Sequence, residues 1–196
     1  MSVRHALLAI LDQGPCYGYQ LRAEYSRRAG AAVNVGQIYT TLERLERDGF
    51  VDHRGADERG HVYWGITDAG RALAARWVAE PDEPSGRGEL ARKIALLATL
   101  PGIDAAAAIA AQRDAAALRL AEVESAPSDG GASADDGVSS VILRAAESAH
   151  ARAEIEWLDA AAAAVAKDPV GRTFPLSVER PRRGRPRTGS ATLPTG

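Results

Sequence analysis

Gln37, Thr40, Arg44 and Arg47 recur at intervals of three and four residues, so a helix through them would carry all four along one side. Together they bring an amide, a hydroxyl and two guanidinium groups. Groups of this kind hydrogen-bond base edges in a major groove and the phosphates beside it. Thr41 and Tyr39 flank the row, Tyr39 with a hydroxyl suited to a phosphate, and Tyr19 on the preceding segment belongs to the same candidate set. Ile38, Leu42 and Leu45 occupy the opposite side as one apolar stripe, which must face a core. Taken alone, the polar row has a second reading, a solvated helix face braced by a Glu43–Arg47 pair.

Such a helix needs a scaffold, and the flanking sequence provides one. Leu7, Ile10 and Leu11 stand at i, i+3 and i+4 before the breaker Gln13, Gly14, Pro15, which predicts a first short helix over 3–11. A second is expected over 17–30, with Leu21 and Tyr25 facing in and Gly30 closing it. A turn of about five residues leads to the third, 35–49, where Gly49 supplies the left-handed stop. From Phe50 the apolar period changes to alternation, and it alternates again over 61–66, where Val62, Trp64 and Ile66 share a face. With a turn from Gly55 to Gly60 between them, these runs read as a β-hairpin wing. Arg54, Arg59 and His61 flank that turn. They either reach a phosphate or a narrow minor groove, or sit on an exposed turn paired with Asp57 and Glu58. Thr67 is the expected N-cap of a fourth helix that carries Leu73 and Trp77.

The Pro, Gly and Ser stretch 81–88 reads as a linker between a domain over 1–80 and a helical domain over 89–168. In the second domain Leu90, Ile94 and Leu97 line one helix. Asp104 caps an alanine-rich helix to about residue 125, with Ile109, Ala116, Leu120 and Val123 on one face. Residues 126–137 read as a flexible loop. A last helix over 138–167 spaces Ser148, Ala151, Ile155, Leu158, Ala162 and Val165 like a coiled-coil seam. Narrow alanine-lined faces bury little area against each other, so a two-fold homodimer is expected. Its interface is placed at Leu90, Ile94, Leu97, Leu120, Ile155, Trp157 and Leu158. Trp77 and Trp157 either pack in a core or interface, or line a pocket for a small aromatic or apolar effector. The expected fold class is mainly α: a winged helix-turn-helix N-terminal domain plus a C-terminal long-helix dimerisation domain.

The net charge of −2 hides an uneven distribution. Residues 1–80 balance at ten basic and ten acidic, residues 81–168 carry eight against fifteen, and residues 169–196 carry six against one. A polyanion should therefore meet the ends of the chain and not its acidic middle. The tail 169–196 is expected to be disordered and basic. Within it Arg183, Arg185 and Arg187, interleaved with Gly184 and Pro186, resemble the extended core of an AT-hook that enters a minor groove, with non-specific electrostatic attraction as the plainer reading. Cys16 is the single cysteine and the four histidines lack ligand spacing, so no metal and no cofactor is expected. Cys16 itself reads as a redox-sensing thiolate or as a small buried hydrophobe. No apolar run is long enough for a membrane span and no signal peptide is visible at the N-terminus, so a cytoplasmic, nucleoid-associated protein is expected.

Four linked motifs resemble the PadR family of bacterial transcriptional regulators: GPCYGYQL at 14–21, GQIYTTLERLERDGFV at 36–51, the wing, and ITDAGR at 66–71. Residues 89–166, notably AEIEWL at 153–158, are similar to the C-terminal part of the virulence-activator-like members. The resemblance implies a winged-helix homodimer on a palindromic double-stranded DNA operator, often a repressor released by a small molecule. Thr40 departs from the family, where many members have Pro, and the wing with Asp57 and Glu58 is less basic. The rival reading of another class is a helical protein–protein adaptor that keeps the winged helix as scaffold. An enzyme has little support, since no nucleophile–base pair, phosphate loop or carboxylate constellation is visible.

Overall fold

The computed structural model describes residues 2–83, 88–125, 134–167, 173 and 175–177. Three helices, α1 (Val3–Leu11), α2 (Gly18–Ala29) and α3 (Val35–Arg47), precede a hairpin of β2 (Val51–Ala56) and β3 (Val62–Ile66). A two-residue strand β1 (Cys16–Tyr17) pairs antiparallel with β3, giving the order β1-β3-β2. Then come α4 (Asp68–Ala79), α5 (Glu89–Leu97), α6 (Ala105–Ser125) and α7 (Ala134–Lys167). The architecture is mainly helical with a small antiparallel sheet, a winged helix-turn-helix followed by long helices.

Helix α1 is the centre of the first core. Ala6 to Leu11 are all buried, so the single stripe read from the sequence is in fact a helix apolar all round, as expected of one packed on every side. It is joined there by Leu21 and Tyr25 of α2, by Ile38, Leu42 and Leu45 of α3, by Trp64 and Ile66, and by Ala74 and Trp77 of α4. Helix α3 starts on an Asn34 cap, whose side chain accepts from the Gly36 N–H at 2.8 Å, and the chain leaves it through Gly49 at φ +78°. Thr67 caps α4 by accepting from the Gly70 N–H at 3.1 Å, while its hydroxyl donates to the Gly49 carbonyl at 2.8 Å. The stop of the third helix and the start of the fourth are thereby tied together.

The wing differs from expectation at Val62, which is 42% exposed and does not share the buried face of Trp64 and Ile66. A register irregularity between His53 and Ala56 marks where the hairpin leaves the core. The second half of the chain also differs. Residues 81–83, read as linker, are clamped: the Gln112 amide accepts from the Asp82 N–H at 2.7 Å and donates to its carbonyl at 3.0 Å. Buried Lys93 donates to the Glu80 carbonyl at 2.8 Å and pairs with Asp82 at 3.0 Å. Helix α5 faces two ways, with Leu96 and Leu97 in the first core and Ile94 in a second one built with Ile109 and Leu158.

Helices α6 and α7 run antiparallel, as the pairs Arg113–Asp159, Arg119–Glu154 and Arg152–Glu124 show by their opposite progression. Helix α7 begins at Ala134, so residues 134–137, read as the end of a loop, belong to the helix. Residues 126–133 lie outside the described residues.

Candidate nucleic-acid interface

On α3 the burial of Ile38, Leu42 and Leu45 turns Gln37, Thr40, Glu43, Arg44 and Arg47 outward. Among the described residues the side chains of Gln37, Thr40 and Arg44 have no internal hydrogen bond or ion pair. Their donors and acceptors are free for an external partner. Arg47 pairs with Asp48 at 3.4 Å, not with Glu43, and is 73% exposed, so that pair is a weak restraint. Thr41 is spent within the helix, where its hydroxyl donates to the Gln37 carbonyl at 2.7 Å. This back-bond removes it as a hydrogen-bond donor to DNA.

Tyr39 does more than offer a hydroxyl. Its ring lies against Gly18, the first residue of α2, so closely that a Cβ built there would meet Tyr39 Cζ at 2.5 Å and Oη at 2.8 Å. The absent side chain of Gly18 is what lets the recognition helix lock onto the N-terminal end of α2. Tyr19, next along the chain, is 46% exposed. Arg22, three residues further on, is exposed and makes no ion pair among the described residues. Sequence reasoning missed Arg22, although Tyr19 and Arg22 at i, i+3 share one side of α2.

The wing residues separate into two groups. Arg54 pairs with Asp52 at 2.7 Å, donates to the Ile66 carbonyl at 3.4 Å and lies over Gly65, so it braces the sheet. His61 is also committed: Nδ1 meets Asp57 Oδ2 at 2.9 Å and the ring stacks on Tyr17 at 4.7 Å. Asp57 further accepts from the backbone N–H groups of Arg59 and His61 at 2.9 and 3.0 Å, an Asx-type turn that fixes the wing tip. Arg59 alone of the three is exposed without an ion pair among the described residues.

Behind this surface lies a polar network that sequence reasoning did not find. Glu24 and Arg28 of α2 are 1% and 2% exposed and pair at 2.9 Å. Arg28 also donates to the Thr99 carbonyl at 2.7 Å, and Arg27 holds Glu24 at 2.6 Å. Burial by itself would raise the Glu24 carboxyl, but hydrogen bonds from Arg27 and the Ser177 N–H, with the Arg28 charge, hold it below its usual range. The signal was present in Leu21, Glu24, Tyr25 and Arg28, which place an i, i+4 ion pair on the same stripe as two core residues. Residues 175–177 dock on the same helix. The tail is thus not uniformly free of the body of the chain, while Arg183, Arg185 and Arg187 lie outside the described residues.

Packing sorts the remaining candidates. Leu97 and Leu158 are fully buried within the chain and Ile94 is nearly so, which leaves them no surface for a second copy. Leu90, Leu120, Ile155 and Trp157 stay partly exposed. Trp77 is buried, with His5 stacked on it at 5.8 Å and the Lys93 ammonium 5.1 Å from its ring centre. It belongs to the first core and Trp157 to the second, so within one chain the two indoles do not share a core. Cys16 is fully buried. Burial, with the Glu24 carboxylate nearby, pushes its thiol up to about 12, which favours the small buried hydrophobe over a redox-sensing thiolate.

Residues 7–76 match the transcriptional regulator PadR-like family. A "probable transcriptional regulator" of Mycobacterium tuberculosis is 35% identical over 95 residues, covering 45% of this chain and 50% of its own length; the match spans about half of that relative. Among solved structures, Bacillus subtilis PadR in complex with operator DNA aligns over 82% of this chain and 96% of its own at 19% identity and a TM-score of 0.38. The Vibrio cholerae virulence activator AphA aligns over 85% and 99% at 18% identity and a TM-score of 0.35.

Proposed function

We propose, on the premise that residues 7–76 are a PadR-like regulator domain, that this chain is a homodimeric DNA-binding transcriptional regulator acting on a two-fold operator. The observation that carries the proposal is the outer face of α3, where Gln37, Thr40 and Arg44 are exposed with uncommitted polar groups on a helix fixed from behind by three buried apolar residues. Gln37 and Thr40 sit near the N-terminal end of α3 and take the base edges, as the leading residues of a recognition helix do. Arg44, one turn later, takes a guanine edge or a phosphate. Tyr19, Arg22 and Arg59 add phosphate contacts from α2 and the wing.

The homodimer is supported by an apolar surface that none of the described residues covers. Val138, Val141, Ile142 and Leu143 of α7 are 56–63% exposed, and α6 ends at Ser125, opposite the middle of α7. A second copy buries this end of the arm, and the half-buried Leu90, Leu120, Ile155 and Trp157 flank the seam. Two recognition helices related by the dimer axis then enter major grooves about one helical turn apart. Repression, and release by a small aromatic or apolar effector, complete the proposal, with Trp157 the indole on the arm side. The working compartment is the cytoplasm, at the nucleoid. No described helix is long and apolar enough to cross a membrane.

Selection from random duplexes with the purified chain, followed by binding titrations, tests the reading. A palindromic site should emerge, and Thr40→Ala and Arg44→Ala should each weaken it by about 1–3 kcal/mol, with Thr40→Ala relaxing preference at one base step. Recovery of no sequence above background, with both substitutions silent, would transfer the function to the helical arm as a protein adaptor.

A further inference from the structure

The buried stripe of α6 holds one polar side chain. Ala105, Ile109 and Ala116 are apolar and Gln112 is not, and at 2% exposure Gln112 must find its partners within the fold. Its Oε1 accepts from the Asp82 N–H at 2.7 Å, and its Nε2 donates to the Asp82 carbonyl at 3.0 Å and to Glu154 Oε1 of α7 at 2.9 Å. Both amide protons are thereby used. One side chain grips both main-chain groups of Asp82, and is itself oriented by Glu154, which Arg119 holds at 2.8 Å. The Asp82 carboxylate is taken in turn by buried Lys93 of α5 at 3.0 Å. Lys93 also donates to the Glu80 carbonyl at 2.8 Å, with its ammonium 5.1 Å from the centre of the Trp77 ring of α4. A polar path therefore runs from α7 through α6 and the turn after α4 into the winged helix.

The apolar contact between the winged helix and the arm is narrow by comparison. Helix α5 gives Leu96 and Leu97 to the first core and Ile94 to the second, where Ile109 and Leu158 are its buried partners. Half-buried Ala108 of α6 adds a methyl group to the first core. Contacts of this kind have no direction, so they accept a small pivot of the arm about Ile94. The bonds to Asp82 do not, because a hydrogen bond weakens steeply as it bends. A polar residue on an otherwise apolar helix seam costs stability and fixes register.

We infer that Gln112 sets the spacing between the two half-sites of the operator, as a positioning residue that holds each reading head at one angle to the arm. The inference rests on the reading of the chain as a homodimer with α3 as its DNA reader, and adds what determines the geometry of the operator. Gln112 makes no DNA contact. Moving the half-sites apart by one base pair asks the two heads together to shift by about 3.4 Å. In the unmodified chain that shift opens the grip on Asp82 in at least one protomer, and loss of its two hydrogen bonds weakens binding by about 5- to 150-fold. Without the amide the head follows the DNA and the penalty disappears.

The test uses the full chain, Gln112→Met, Gln112→Glu, and Gln112→Glu combined with Glu154→Gln. Methionine is unbranched and fills the site without a donor or a strong acceptor. Each protein is titrated against duplexes carrying two copies of the half-site selected with the unmodified chain, at the selected spacing and with one or two base pairs added or removed, and against a duplex with a single half-site. The unmodified chain should bind the off-spacing duplexes about 5- to 150-fold more weakly than the best one. In Gln112→Met the penalty should largely vanish, with single half-site binding unchanged. Gln112→Glu keeps the acceptor for the Asp82 N–H but turns a carboxylate toward Glu154, and should lose much of the selectivity. Adding Glu154→Gln returns a donor to that contact and should restore part of it. A purely structural role would lower the melting temperature and every affinity together, and would leave the ratio between spacings unmoved.

An unchanged spacing penalty in Gln112→Met would overturn the proposal, and so would an equal loss at every spacing and on the single half-site. If Gln112→Met does not fold, the other pair decides: full selectivity in Gln112→Glu, or no recovery on adding Glu154→Gln, overturns the proposal. No spacing preference in the unmodified chain, with Arg44→Ala still weakening its binding, also overturns it and leaves the α3 reading intact. If no half-site can be selected with the unmodified chain and Arg44→Ala leaves binding to random duplexes unchanged, the DNA-reader reading itself fails, and the proposal with it.

Discussion

Gly18→Ala should reverse the sign of its effect when Tyr39 is removed. A Cβ at position 18 would stand 2.5 Å from Tyr39 Cζ and 2.8 Å from Cε1 and Oη, about 1 Å inside the normal carbon contact distance. The backbone at Gly18 is outside the left-handed region, so the substitution carries no conformational strain of its own. Overpacking of this kind costs about 1–3 kcal/mol, and the low end applies because Tyr39 is 39% exposed and its ring has room to swing outward. Alanine recovers at most about 1 kcal/mol of helix propensity over glycine. The single variant should thus lose up to about 1 kcal/mol, a fall of at most roughly 2–4 °C in melting temperature for a chain of this size. In a Tyr39→Ala background the three atoms nearest the new Cβ are gone, so Gly18→Ala should stabilise by up to about 1 kcal/mol. Thermal denaturation of the four proteins gives the cycle, and operator titration of Gly18→Ala should show weaker binding, because the displaced ring enters the face that α3 offers to DNA. Effects that add to within about 0.5 kcal/mol would refute the lock between α2 and α3.

Three further outcomes are expected. Glu24→Ala leaves the guanidinium of Arg28, 2% exposed, buried without its carboxylate, which should cost about 3–5 kcal/mol. Because Glu24 is held below its ordinary value of 4.5, its contribution is fully present above that value and is lost as pH falls through the lower folded one; urea midpoints measured from about pH 6 to about pH 3 should decline less steeply in Glu24→Gln. On the wing, Arg59→Ala should reduce the salt slope of DNA binding by about 0.9 per protomer at unchanged melting temperature, whereas Arg54→Ala, whose side chain braces the sheet, should leave the slope alone. The Cys16 thiol, pushed up to about 12 by burial, should not react with a disulfide reagent at about pH 8 until the chain is unfolded in guanidinium.

The recognition helix was legible because its information is local: Ile38, Leu42 and Leu45 repeat at the helical period, Gly49 ends it and Thr67 starts the next helix. β1 was not, since Cys16 and Tyr17 are too few for an alternation to register, and only β3 across the sheet makes them a strand. The candidate site was legible as a list of polar groups, but not as a set of free ones. His61 and Arg54 look available in sequence, and only the folded wing shows them bound to Asp57 and to Asp52. Thr41 reads as a hydroxyl on the outer face until its back-bond to Gln37 is seen. Of the dimer residues, Ile94, Leu97 and Leu158 failed for a related reason, because a periodic stripe states that a face is buried and not by whom. Leu97 and Leu158 are covered by the chain's own helices, whereas Val141, Ile142 and Leu143 follow one another directly, so they do not read as one stripe, and they remain exposed with Val138.

Helix α2 is where these parts meet. Its first residue receives Tyr39 of the recognition helix, Arg28 reaches the Thr99 carbonyl just beyond α5, and Gln20, Glu24 and Arg27 hold residues 175–177. An apolar pair in place of Glu24 and Arg28 would fill the same space at no electrostatic cost. It would also accept small slides along the helix axis, because dispersion is undirected. The buried pair does not: it bonds outside its own helix, Arg28 to the Thr99 carbonyl at 2.7 Å and Glu24 to the Ser177 N–H at 2.8 Å, and each bond weakens steeply as its angle departs from linear. The buried pair therefore fixes the axial position of α2, and through Gly18 and Tyr39 it fixes the recognition helix with it. In the dimer proposed above, that registry would hold two reading heads at one spacing on DNA, which the stability of a purely apolar core would not do by itself.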